Sequence, residues 1–163
     1  MTTADPDGIA TIRVAEDALA DGERLALEAL PNELGGILVG WWEGNSTAVV
    51  VGVLSVPDDA AGRTHYERRH SRAQQALDSY RVSHGDPRLG YIGEWHSHPA
   101  PQPPSSTDRS ELVAIVRESK KRAALVVLAV QEGNRVDTYG LIGSPRWARR
   151  PRVNAAVVER MTL

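Results

Sequence analysis

The chain has 163 residues, 41% hydrophobic and 25% charged, a size and balance that suit one compact domain with its own core. A formal net charge of -2 gives no electrostatic footprint for nucleic acid or an anionic membrane, and no apolar run approaches the ~20 residues of a membrane helix, so a soluble, cytoplasmic protein is expected. Without cysteine there is no disulfide framework, no cysteine nucleophile and no thiolate metal site, so any zinc must be held by His, Asp or Glu.

Ile9 to Val14 alternates apolar and polar residues as a strand does, and Glu16 to Leu30 then carries Leu19, Glu23, Leu27 and Leu30 at helical spacing until Pro31 ends it. Gly22 weakens the first turns of that helix. Gly36 to Trp42 and Thr47 to Val56 are dense in Val, Ile, Leu and Trp and read as a buried hairpin across Glu43-Gly44-Asn45-Ser46. Pro57 to Thr64 is polar and reads as a loop. Tyr66, Ala73, Ala76, Leu77 and Tyr80 then mark one face of a second helix, with His70 on the same face. After the turn at Gly85-Asp86-Pro87, Leu89 to His98 predicts a third strand, Pro99 to Pro104 breaks it, and a third helix opens near Asp108 with Leu112, Ile115 and Val116 inward. Ala123 to Val130 and Arg135 to Ile142 form a further predicted hairpin across Glu132-Gly133-Asn134.

Helices set between strand pairs predict a mixed α/β fold, a central mixed β-sheet flanked by helices in one α/β sandwich. Residues 1–143 are expected to form this domain and residues 144–163 an extension packed on it or partly disordered. Within that extension Asn154 to Met161 is read as a short helix or a poorly ordered tail. Arg146, Arg149, Arg150 and Arg152 read as solvated surface.

The chemistry concentrates in Gly93-Glu94-Trp95-His96-Ser97-His98-Pro99 and Ser105-Ser106-Thr107-Asp108. Residues two apart on a strand share a face, so His96 and His98 sit roughly 6.5 Å apart along the chain with both imidazoles turned one way. Asp108, at the mouth of the next helix, can reach back past the Pro-rich turn as a third ligand. Three nitrogen or oxygen ligands leave the fourth tetrahedral position open, the arrangement of a catalytic zinc. Singly, each residue has a plainer explanation: the histidines as a satisfied polar pair, Asp108 as a helix N-cap with Glu111 its capping-box partner, Ser105 as the close of a Ser/Thr turn. Jointly, in this order and spacing, they favour the metal. His65, His70 and His84 lack partners at ligand spacing and receive no metal role.

His96-Ser97-His98-Pro99 followed by Ser105 and Asp108 resembles the signature of the JAB/MPN/JAMM zinc metallopeptidases, in which His-x-His-Pro precedes Ser-x-x-Asp. The segment from Pro31 to Gly40 resembles the stretch where that family carries its catalytic glutamate, here Glu33. The loop from His98 to Ser105 is one residue shorter than the commoner family spacing. Shifting the register to Ser106 would place Arg109 at the ligand position, so Ser105 with Asp108 is the workable register.

The resemblance implies an MPN/JAMM-type sheet related in shape to the sandwiches of cytidine deaminases, with one catalytic Zn2+ on His96, His98 and Asp108. Glu33 would take a proton from the attacking water and pass it to the leaving amine, and Ser105 would donate to the developing oxyanion. Glu94, on the same strand face as the histidines, is a rival base that ranks below Glu33 because the family commonly places an apolar residue there. Gly35 and Gly36 point to close backbone approach, by sheet packing or by substrate.

The implied activity is hydrolysis of a peptide or isopeptide bond after the C-terminus of a ubiquitin-like modifier or a protein conjugated like one. The passage is similar to bacterial JAB peptidases encoded beside ubiquitin-like conjugation enzymes, including those of anti-phage operons. Processing of a sulfur-carrier protein and a non-catalytic MPN scaffold are the alternatives, and oligomeric state stays open. A zinc nucleobase deaminase is excluded, because its Pro-Cys-x-x-Cys cannot be made without cysteine.

Overall fold

A computed structural model describes residues 8–56 and 65–163, without the side chains of residues 65–70. The elements run β1 (Thr11–Ala15), α1 (Glu16–Ala29), β2 (Gly35–Glu43), β3 (Thr47–Ser55), α2 (His65–His84), β4 (Gly90–His98), α3 (Ser106–Ser119), β5 (Ala123–Val130), a 3-10 turn (Glu132–Asn134), β6 (Val136–Arg146) and β7 (Arg149–Met161). The loop expected over Pro57 to Thr64 lies outside the described residues.

Local chemistry explains most of these bounds. Gly44 takes the left-handed conformation at the β2–β3 turn (φ 61°), and Gly133 and Asn134 (φ 79° and 60°) do so between β5 and β6. Gly22 seats α1 on the sheet. A Cβ there would stand 3.0 Å from a Leu128 methyl and 3.2 Å from a Val53 methyl, so its absence lets the helix lie close on β3 and β5.

The sheet is mixed. β1 runs parallel to β3 and to β7, β4 parallel to β5, and the pairs β2–β3, β2–β4, β5–β6 and β6–β7 are antiparallel. In the order β1-β3-β2-β4-β5-β6-β7 the strands close into a barrel. One face, the inner one, buries Leu38, Val50, Trp95, Val126, Leu128 and Ile142 against Ala18, Leu19 and Ala26 of α1. The outer face carries two smaller clusters, one joining Ile37, Val39 and Val56 to Leu77 of α2, the other joining Leu125, Val127 and Leu141 to Leu112 and Val116 of α3. β5 is buried on both sides along its whole length, as a central strand covered on both faces must be.

The mixed sheet flanked by helices agrees with the sequence reading. The short helix or tail expected over Asn154 to Met161 does not: this stretch belongs to β7. It is paired along Gly140 to Arg146 on one side and with β1 from Thr11↔Val157 to Ala15↔Met161 on the other. Backbone ladder bonds to two neighbours hold a polar strand whose own pattern carries little signal.

Candidate metal centre

β4 presents its histidines outward because of one residue. The β2–β4 register steps from Leu38↔Gly93 to Val39↔Tyr91, a bulge that skips Ile92. Gly93 occupies φ 154°, and a Cβ there would lie 1.9 Å from the Ala124 carbonyl oxygen, so only glycine fits. Ile92 and Trp95, three residues apart, consequently both face the inner cluster. Glu94, His96 and His98 fall on the opposite face, where α3 packs.

There His96 Nε2 and His98 Nε2 stand 3.2 Å apart. Asp108, from the first turn of α3, sets Oδ1 2.9 Å from His96 Nε2 and Oδ2 3.4 Å from His98 Nε2. One donor atom from each residue lies within 4.8 Å of the others, and this is the single such His/Asp/Glu group among the described residues. The three side chains are 15%, 9% and 8% exposed, which shields the site without sealing it.

The donor chemistry fits a cation. His98 Nδ1 is 2.8 Å from the Gln102 carbonyl oxygen, which can only accept, so Nδ1 carries the ring proton and Nε2 offers a lone pair. Burial pushes His96 below the ordinary imidazole value of 6.5. Asp108 opposes that fall and His98 adds to it, while Glu111 and Glu33 act upward more weakly. A neutral His96 likewise offers a lone pair at neutral pH. Two imidazole nitrogens and a carboxylate oxygen are a borderline-soft donor set that suits zinc.

Ser105 and Asp108 differ from their plainer expectation. Ser105, not Asp108, is the N-cap of α3: its Oγ accepts from Asp108 N at 3.2 Å, while Asp108 Oδ2 accepts from Ser105 N at 2.6 Å. This reciprocal capping box anchors the carboxylate over the histidines. It also holds Ser105 Oγ as an acceptor and leaves its O–H to point elsewhere.

Glu33 is exposed in the segment between α1 and β2, and its charge acts on His96. Glu94 lines the neighbouring cleft. The close approach at Gly36 is sheet packing: a Cβ there would lie 1.7 Å from the Leu54 carbonyl oxygen. His84 is stacked on Tyr80 with Nδ1 2.9 Å from the Tyr80 carbonyl oxygen, away from this cluster; the side chains of His65 and His70 lie outside the described residues. Sequence reasoning misses Gln102, whose carbonyl fixes the His98 tautomer, and reads Glu111 as a capping-box partner of Asp108, whereas the box is closed by Ser105 and Asp108 and the Glu111 charge acts on His96.

A cleft of about 510 Å³ runs between α2 and α3 over β2 and β4, with Gly36, Ile37, Leu77, Tyr91, Glu94 and Glu111 in its lining; the three clustered residues are not part of that lining. No helix among the described residues is long and apolar enough to cross a membrane.

Residues 15–139 match the family described as prokaryotic homologs of the JAB domain. A CD-NTase/cGAS isopeptidase of Enterobacter hormaechei is 32% identical over 147 residues, covering 88% of this chain and 79% of the relative. A probable metalloprotease of Sinorhizobium fredii is 35% identical over 101 residues, 59% of this chain and 60% of that one. A solution structure of a protein from Desulfitobacterium hafniense superposes with a TM-score of 0.65 over 94% of both chains at 18% identity, a likeness of fold.

Proposed function

The chain belongs to the family of prokaryotic JAB-domain homologues, and from that membership we propose that it is a zinc-dependent isopeptidase of the JAMM type, with His96, His98 and Asp108 as ligands of one zinc ion and Glu33 as general base. The observation that carries the reading is the convergence of the three donor groups within 4.8 Å on the outer face of β4. When bound, zinc supplies Lewis acidity that polarises a scissile carbonyl and brings the pKa of water to about 7.

The protein's own groups do the rest. Glu33, exposed in the segment that leads into β2, takes the proton from the attacking water and delivers it to the departing amine. Ser105, its oxygen fixed by the Asp108 N–H, turns its O–H to the oxyanion that develops on the carbonyl. His98 is held in one tautomer by Gln102 and keeps its Nε2 for the metal throughout.

The substrate is a ubiquitin-like modifier, or a protein conjugated like one, joined through its C-terminus to a target lysine. Two findings support this: a relative named as an isopeptidase, and the 510 Å³ cleft between α2 and α3, whose lining of apolar residues such as Ile37, Val56 and Leu77 with Glu94, Glu111 and Glu118 gives an extended C-terminal tail a place to lie. A bacterial ubiquitin-like conjugation system, of the kind found in anti-phage operons, is the setting such an activity serves.

The test is to express Glu33→Gln beside wild type in the native host and compare lysine-linked conjugates by mass spectrometry. A conjugate that accumulates with the variant, and that zinc-loaded wild type then cleaves, supports the reading. If zinc is bound and nothing accumulates, carrier-protein processing or a scaffold role replaces it.

A further inference from the structure

His96 and His98 point outward, so the residue between them points inward. Ser97 is 1% exposed, and its hydroxyl meets the segment that carries Glu33. Leu34 N donates to Ser97 Oγ at 3.0 Å, Ser97 Oγ donates to the Leu34 carbonyl oxygen at 3.4 Å, and Ser97 N donates to that same carbonyl at 2.8 Å. The β2–β4 pairing begins only at Gly35↔His96. Glu33 therefore lies just outside the ladder, and the nearest bonds between its segment and β4 are those of Ser97 on the adjacent residue.

We infer that Ser97 is a positioning residue for Glu33: it clasps Leu34 from the inner side of β4 and so sets where the Glu33 backbone passes the histidine pair on the outer side. One residue thus ties the ligand strand to the base segment while touching neither the metal nor the substrate. The inference rests on the reading of Glu33 as base. A general base must stand within hydrogen-bond reach of its proton, and a misplacement of about 1 Å can cost on the order of 10²-fold in rate.

The experiment measures kcat, KM, bound zinc and thermal midpoint for wild type, Ser97→Ala, Glu33→Gln and the double variant, using the lysine-linked conjugate recovered from the native host. Ser97→Ala is expected to lose about 10- to 100-fold in kcat with KM and zinc content unchanged. The double variant is expected to be no slower than Glu33→Gln alone, because Ser97 acts only through Glu33. Should Ser97→Ala fail to fold, Ser97→Cys, which keeps the volume and weakens the hydrogen bonds, is expected to show the same kcat-only loss at smaller size. Loss of zinc, or a further loss in the double variant, overturns the inference, as does a fully active Ser97→Ala beside an inactive Glu33→Gln. Full activity in Glu33→Gln overturns the assignment of the base itself.

Discussion

The Asp108 carboxylate divides its oxygens between tasks: Oδ1 faces His96, while Oδ2 is shared by His98 and the Ser105 N–H. His96→Ala and Asp108→Ala should both lose zinc, read by metal analysis of the purified protein. Asp108→Ala should in addition cost about 1 kcal/mol through the lost capping box. Ser105→Ala should lower kcat by about 10²–10³-fold if its O–H serves the oxyanion, and stability by roughly 1 kcal/mol as an N-cap. Burial holds His96 below 6.5, so between that lowered value and 6.5 the unfolded chain binds a proton the folded one does not. The stability of chelator-treated protein relative to its His96→Asn variant should therefore rise with pH across that window and level off above it, as denaturation at a series of pH values will show. At this scale the sequence is informative, because residue identity and spacing single out His96, His98 and Asp108, the group that the fold brings together. Ser97 and Gln102 are silent in it: one side of each contact, the Leu34 N–H and carbonyl in the first and the Gln102 carbonyl in the second, is backbone, which side-chain identity does not report.

Among the elements, β4 depends most on its bulge. Strand alternation makes His96 and His98 share a face, yet which face is decided upstream at Gly93, whose backbone conformation and contact with the Ala124 carbonyl exclude a side chain. Gly93→Ala should lower stability by about 1–3 kcal/mol and weaken zinc retention, measured by urea denaturation and metal content. A glycine inside a predicted strand hints at such a bulge, but the register step that it produces belongs to the pairing with β2 and is illegible locally. α3 shows the same division. Its existence follows from Leu112 and Val116, and the roles of Ser105 and Asp108 follow from the local Ser-x-x-Asp capping box, whereas their approach to the histidines depends on the packing of α3 on the sheet.

For the molecule as a whole, closure rests on β7. Its burial alternates weakly, with Pro151 the one buried residue between Arg149 and Met161, so hydrophobic pattern could not reveal a strand that ladder bonds from β1 and β6 create. The strands with continuous apolar runs, β2, β3 and β5, were legible for the opposite reason. Val158, opposite Ile12 on β1 and packed against the inner core, makes the dependence testable. Val158→Pro should remove ladder bonding and reduce unfolding free energy by roughly 1–3 kcal/mol in chemical denaturation. An unchanged midpoint would mean that β7 is dispensable to the barrel.

Zinc-dependent isopeptidase activity is best tested by cleavage of a host-derived lysine-linked conjugate by wild type and Glu33→Gln, with zinc quantified in the same samples and a chelated wild-type control. Each loaded protein should hold one zinc ion, wild type should cleave about 10²–10⁴ times faster than the variant, and chelation should abolish cleavage. Cleavage by zinc-free wild type, or an undiminished rate in Glu33→Gln, would rule this mechanism out.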